Sequence, residues 1–90
     1  MEFSWDEAKR QWTIRDRAID FIEARDIFDG RPVVHHPTPR GEEDRWKSTA
    51  MSRDLLFTVV WVDRGDKRHI ISMRRAHGHE IRHYRQLHGH

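Results

Sequence analysis

The stretch Leu55-Leu56-Phe57-Thr58-Val59-Val60-Trp61-Val62 carries apolar side chains at odd and even positions alike. Successive side chains of a strand point to opposite faces, so such a run is stable only where both faces are covered. A chain of 90 residues that contains it must place layers on both sides of a sheet, with this strand at the centre. The run is far too short to span a membrane, which takes about 20 apolar residues.

The flanking segments follow the same grammar. Ser52-Arg53-Asp54 reads as a turn before the central strand and Asp63-Arg64-Gly65-Asp66 as a hairpin turn after it. Lys67 to Met73 is the next strand, with Ile70 and Ser72 on the face opposite His69 and Ile71. Arg45 to Met51 alternates, setting Arg45, Lys47 and Thr49 against Trp46, Ser48 and Ala50. Pro32 to His36 is a short strand, separated from it by the loop Pro37 to Gly41. Short connections between Arg45 and Met73 predict an antiparallel meander.

Helical signals lie at the two ends. After a short strand at Phe3 to Trp5, Asp6 reads as an N-cap, with Glu7 in the first turn and Ala8 and Trp12 four apart on one face. This helix reaches Arg15 or Arg17. A second starts at Asp20, with Glu23 in the capping-box position and Phe21, Ala24, Ile27 and Phe28 at helical spacing. Gly30 and Pro32 stop it. Ala76 to Leu87 is helical, with Ile81, Tyr84 and Leu87 on one stripe. The order β-α-α-β-β-β-β-α predicts one α+β domain over residues 1–90. Its antiparallel sheet has four to five strands, two N-terminal helices and one C-terminal helix.

Four Trp and four Phe give a small core its bulk in a chain that is 36% apolar and 36% charged. The absence of cysteine excludes disulfides, thiol catalysis and thiolate zinc sites. Met1-Glu2-Phe3-Ser4-Trp5-Asp6 is too acidic for a signal peptide, so a soluble cytoplasmic protein is expected. The charge is unevenly spread. From Arg64 onward seven Arg or Lys stand against Asp66 and Glu80, an excess of +5 in a chain whose net charge is +2. Arg outnumbers Lys there, and its planar fork suits phosphate. A basic lobe of this kind implies a polyanionic partner or, more plainly, a solvated charged helix.

Several segments are similar to one family. Phe3-x-Trp5-Asp6-x-x-Lys9, Ile19-x-Phe21-x-Glu23-Ala24, Ile27-Phe28-Asp29, Asp66-x-x-x-Ile70-Ile71-Ser72-x-Arg74-x-Ala76 and Glu80-x-x-x-Tyr84 all resemble the BrnT family. The resemblance runs from Phe3 to Tyr84. It implies a RelE-like fold and a ribonuclease toxin of a type II toxin–antitoxin pair. The implied partners are an RNA substrate and a cognate BrnA-like antitoxin with a ribbon-helix-helix segment, in a 2:2 assembly that meets DNA only through the antitoxin. Three departures stand out. Where the family reads Asn-x-x-Lys-His-Gly this chain has Thr13-Ile14-Arg15-Asp16-Arg17-Ala18, His69 replaces a common Arg, and Asp44-Arg45-Trp46 replaces Glu-Arg-Phe.

RNA is cut when its 2′-OH attacks the adjacent phosphorus, a step helped by alignment, charge stabilisation and proton transfer without need of a metal or other cofactor. On the resemblance, the catalytic candidates are Arg74, Arg45, Tyr84, His69 and Glu80. Arg68, Arg75, Lys47 and Arg82 are RNA-binding candidates, and Trp5, Lys9 and Trp12 belong to the core or to the antitoxin surface. Each has a plain alternative: Arg74 in an ion pair with Glu80 or Glu23, Arg45 on a solvated strand, Tyr84 in the core, Glu80 balancing a basic helix, His69 on the surface. His79 and His83, four apart on a helix with His77, His88 and His90 nearby, have metal-binding spacing, but no HExxH motif supports a catalytic metal. The competing reading of the whole chain is a nucleic-acid binder or toxin-like protein that cuts nothing.

Overall fold

A computed structural model describes residues 1–89; His90, counted above among the histidines, lies outside the described residues. In chain order the elements are β1 (Glu2–Trp5), α1 (Glu7–Arg17), a 3-10 helix (Phe21–Phe28), β2 (Val33–Pro37), β3 (Trp46–Ser52), β4 (Leu55–Arg64), β5 (Lys67–Arg75) and α2 (Gly78–His88). The strands form one sheet in the order β1-β5-β4-β3-β2, so the doubly apolar β4 is central.

Its two faces are covered differently. Phe57, Val59 and Trp61 pack with Ile70, Met73 and Ala50 under Ile19, Phe21, Ala24 and Ile27. Leu56 turns the other way and packs with Val34 and Tyr84, beneath α2. Because α2 lies at one end of its face, the rest of that face is left for a site.

Local sequence explains most elements. The Asp6 carboxylate accepts the N–H groups of Ala8 at 2.9 Å and Lys9 at 3.3 Å, as an N-cap should. Asp20 caps the 3-10 helix by accepting the Ile22 N–H at 3.0 Å. The capping box expected from Glu23 does not form, because its carboxylate pairs with Arg53 at 3.0 Å. The second helix is 3-10 rather than α. Phe21, Ala24 and Ile27, three apart and all fully buried, line up on one edge when each turn takes three residues.

The sheet is mixed, not antiparallel throughout. β2 to β5 pair antiparallel as the short connections require, but β1 runs parallel to β5, with Phe3 opposite Arg68 and Trp5 opposite Ile70. More than 60 residues separate those partners in sequence, so no hairpin dictates their direction. The turn after β4 tightens to Gly65-Asp66, with Gly65 at φ 63°, and both flanking strands extend beyond the expected ends.

A bulge corrects one predicted face. Val60 pairs with Ser72 and Trp61 with Ile70, leaving Ile71 as the extra residue of β5. The alternation shifts there by one. Ile70 and Met73, an odd number apart, share the buried core, while Ser72 joins Ile71 and Arg74 on the other face, not Ile70 as strict alternation predicts.

Candidate functional site

The uncovered part of the α2 face is a cleft of about 430 Å³ lined by Lys9, Thr38, Pro39, Arg40, Arg45, Lys47, Val60, Ile71, Ser72 and Arg74. Five cationic side chains line it and no carboxylate does. Each comes from a different feature of the fold. The bulge turns Ser72 and Arg74 into the cleft, and the alternation of β3 brings Lys47. α1 contributes Lys9. The connection from β2 to β3 folds back through the Thr38 N–H, which donates to the Arg45 carbonyl at 2.8 Å, and through a two-way backbone bridge between Arg40 and Glu43. Gly41, at φ 62°, makes that tight return possible.

Two carboxylates behind the cleft hold its cations. Glu80, only 5% exposed, receives both ends of the Arg74 guanidinium, at 2.7 and 3.0 Å. It also accepts from the Lys47 ammonium at 3.1 Å, the Thr58 hydroxyl at 3.0 Å and the His77 N–H at 2.8 Å. The last bond supplies one half of a capping box at the start of α2. Burial pushes the Glu80 carboxyl up, but the bonds from Arg74, His77, Lys47 and Thr58 outweigh it and hold the group well below the usual carboxylate range. Glu43 plays a similar part at the rim, accepting from Arg45 at 2.9 Å and Arg64 at 3.0 Å. Among the described residues Lys9 and Arg40 form no salt bridge.

The structure thus brings Arg45, Lys47 and Arg74 together. Glu80 joins them as the anchor of Arg74. His69 lies on the same face of β5 as Ile71 but outside the residues that line the cleft, with its Nδ1 2.9 Å from the Ser4 hydroxyl. Burial first, then the nearby Arg64, pushes its imidazole below the ordinary value. Tyr84 is elsewhere: 5% exposed, it packs with Val34 and Leu56 and does not line the cleft. Arg68 and Arg75 lie on the opposite face. The Arg68 guanidinium sits 3.9 Å from the Trp61 ring centroid and pairs with Asp63 at 2.9 Å, and Arg75 reaches over Phe57. Arg82 is exposed on α2, away from the cleft.

The three residues expected at the core or antitoxin surface separate. Trp5 packs at the edge of the core, and Trp12 is 41% exposed beneath the Arg17 guanidinium. Lys9 enters the cleft. Together with Arg40 it was not legible as part of this site. Arg40 sits in a Pro- and Gly-rich loop without periodicity, and Lys9 is 36 residues before Arg45.

A sequence profile described as "Ribonuclease toxin, BrnT, of type II toxin-antitoxin system" matches residues 5–80 of the chain. The chain belongs to the BrnT family. BrnT proteins are ribonuclease toxins of type II systems, so the chemistry to be explained is RNA cleavage, and a protein antitoxin is the partner such a system implies. No curated protein sequence matches the chain. The BrnT match covers both halves of the basic cleft, from α1 through Arg45 to Arg74 and Glu80. No helix of the described residues is long and apolar enough to cross a membrane.

Proposed function

We propose that this chain cuts RNA at the basic cleft, by attack of a 2′-OH on the adjacent phosphorus. The observation that carries the reading is the convergence of Arg45, Lys47 and Arg74, with Lys9 and Arg40, on one concave surface. As the 2′-oxygen bonds to phosphorus, negative charge grows on the two non-bridging oxygens and the bond to the 5′-oxygen breaks. Arg74 and Arg45 act on that charge. Each such donor is worth on the order of 10²–10³ in rate. Glu80 orients Arg74 and leaves the outer side of its guanidinium for the phosphate. Lys47, Lys9 and Arg40 hold neighbouring phosphates.

The 2′-OH proton must leave, and the departing 5′-oxygen takes one from solvent water, to which the cleft is open. His69 is assigned the accepting role: it faces the cleft side of the sheet, and its depressed proton affinity keeps it neutral at pH 7. Tyr84 takes no part in this scheme, because it is buried away from the cleft.

The same cleft is the surface that a partner must cover to silence the toxin. A BrnA-like antitoxin that blocks it would place its own acidic groups against Arg40, Arg45 and Lys9, in the expected 2:2 assembly. Against the enzymatic reading stands the binder that cuts nothing. It gains support from Glu43 and Glu80, which already neutralise part of the charge on Arg45, Lys47 and Arg74. Labelled RNA incubated with the purified chain in chelator separates the two: a ribonuclease yields fragments ending in a cyclic phosphate, and a binder leaves the RNA intact.

A further inference from the structure

A single row of side chains crosses the sheet on the cleft side. Thr49 on β3 stands opposite Thr58 on β4, and Thr58 stands opposite Arg74 on β5. Thr58 carries the one hydroxyl of the Leu55–Val62 run, and both threonines are buried, at 5% and 0% exposure. Their hydroxyl oxygens lie 2.8 Å apart, and Thr58 reaches Glu80 Oε1 at 3.0 Å. The row is therefore closed from above by the carboxylate that receives Arg74.

We propose that Thr58, backed by Thr49, is a positioning residue for Arg74: it fixes the rotation of the Glu80 carboxylate and, through it, the plane of the guanidinium. Its effect on rate rests on the ribonuclease reading of the cleft, and its effect on Arg74 rests on the geometry alone.

The direction of each bond follows from proton counting. Glu80 is held well below the usual carboxylate range, so it is ionised near neutral pH. An ionised carboxylate only accepts, and the Thr58 O–H must donate to it. With its proton spent there, Thr58 can only accept from Thr49, whose O–H points toward β4. Accepting that bond polarises the Thr58 hydroxyl and strengthens the bond it gives. The β-branch restricts χ1 of both residues, so the row is stiff.

Glu80 depends on this hold. Its Oε1 accepts from Arg74 at 2.7 Å, from the His77 N–H at 2.8 Å and from Thr58. Its Oε2 accepts from Arg74 at 3.0 Å and from Lys47 at 3.1 Å. Lys47 also lines the cleft, where a bound phosphate competes for its ammonium. Arg74 is the group being placed. Among the described residues, Thr58 is then the hydrogen-bonding side-chain anchor that substrate does not reach, on a strand paired along both edges.

The test compares Thr58→Val, which keeps the branched shape and removes the donor, with Thr58→Ser, which keeps the donor, and with Thr49→Val. Each folded variant is read in two ways. One is cleavage of a labelled RNA in chelator, resolved into kcat and KM. The other is the NMR signal of the Arg74 guanidinium in the free protein, whose slowed rotation reports its paired bonds to Glu80. In Thr58→Val kcat should fall about fivefold with KM within about twofold, and guanidinium rotation should quicken. Thr58→Ser should recover most of both losses. Thr49→Val should lose about twofold in kcat, and Thr49→Val/Thr58→Val should be no worse than Thr58→Val, because Thr49 acts only through Thr58. Should Thr58→Val not fold, Thr58→Cys, a weak donor, takes its place. Wild-type kcat and rotation in Thr58→Val, a loss that Thr58→Ser fails to recover, or losses that add in the double variant would overturn the proposal. If the wild type cuts no RNA, rotation decides: quickening in Thr58→Val upholds the coupling while the ribonuclease reading fails, and unchanged rotation overturns both.

Discussion

Arg74 and Glu80 meet through two parallel hydrogen bonds of 2.7 and 3.0 Å where the last strand gives way to the last helix. Arg74 faces the open cleft on one side, and Glu80 is buried under α2 on the other. The pair therefore transmits the packing of the helix to the position of a guanidinium. Both members are six residues apart in sequence, yet neither would hold its place without Thr58 and Lys47 from the central strands.

Replacing Glu80 by Gln keeps its shape and removes its charge. Stability should fall by about 2–3 kcal/mol, since Arg74 and Lys47 lose a shared buried partner. RNA cleavage should fall roughly tenfold as Arg74 loses its orientation. The acid limb of the stability curve should also change. A carboxyl held below its ordinary value of 4.5 in the folded chain stabilises fully above that value and ceases to do so as the pH drops below it. Denaturation midpoints from pH 7 down to 2.5 should thus be flatter in Glu80→Gln than in the wild type. A parallel pair of curves counts against this role.

Ala18 ends α1 in the left-handed region, at φ 56°, where the BrnT pattern has glycine. The Cβ of alanine is strained there, by roughly 1 kcal/mol. Ala18→Gly should raise urea-measured stability by about that amount without altering cleavage. A destabilised variant would show that the cap is not strained.

His69 carries the pH dependence of the proposed reaction. Its imidazole binds a proton less readily than usual, because it is half-buried and faces Arg64. Cleavage should therefore hold level from pH 8 to about 6.5 and decline below it, as the proton is taken up and the acceptor is lost. In His69→Gln the rate should fall and the acidic decline should vanish. An unchanged profile in that variant removes His69 from the chemistry.

Cations on the two faces of the sheet should behave differently. Lys9→Ala and Arg40→Ala should each weaken RNA binding and lower the salt slope of log K by about one. Arg75→Ala should leave both unchanged. Arg68→Ala should leave binding unchanged too, but it should cost about 1–2 kcal/mol of stability, because its guanidinium covers Trp61 and Phe28. Equal loss of binding across all four variants would mean that RNA wraps the molecule rather than entering the cleft.

The elements were legible where local rules govern them. Asp6 and Asp20 announced their helices by capping chemistry, and the double-sided run after Leu55 announced the central strand. What escaped was decided by distant contacts. The parallel pairing of Phe3 with Arg68 has no turn to encode it, and the Ile71 bulge breaks an alternation that the sequence presents as regular. At the site, strand period points to Arg45 and Lys47, and the family pattern points to Arg74 and Glu80. That Lys9 and Arg40 share the cleft has no local signal, since only the closing of the sheet brings α1 and the loop after β2 to the same surface. Arg68 and Arg75 look equivalent to Arg74 by composition; plain alternation sets Arg75 on the other face from its neighbour Arg74, and the Ile71 bulge does the same for Arg68.

Cleavage of a labelled RNA by Arg45→Ala and Arg74→Ala, in chelator and at fixed salt, bears most directly on the cleft as the place where the phosphodiester is broken. Each folded variant should lose on the order of 10²–10³ in rate while still binding RNA through Lys9, Lys47 and Arg40. Wild-type rates in both variants would contradict the account.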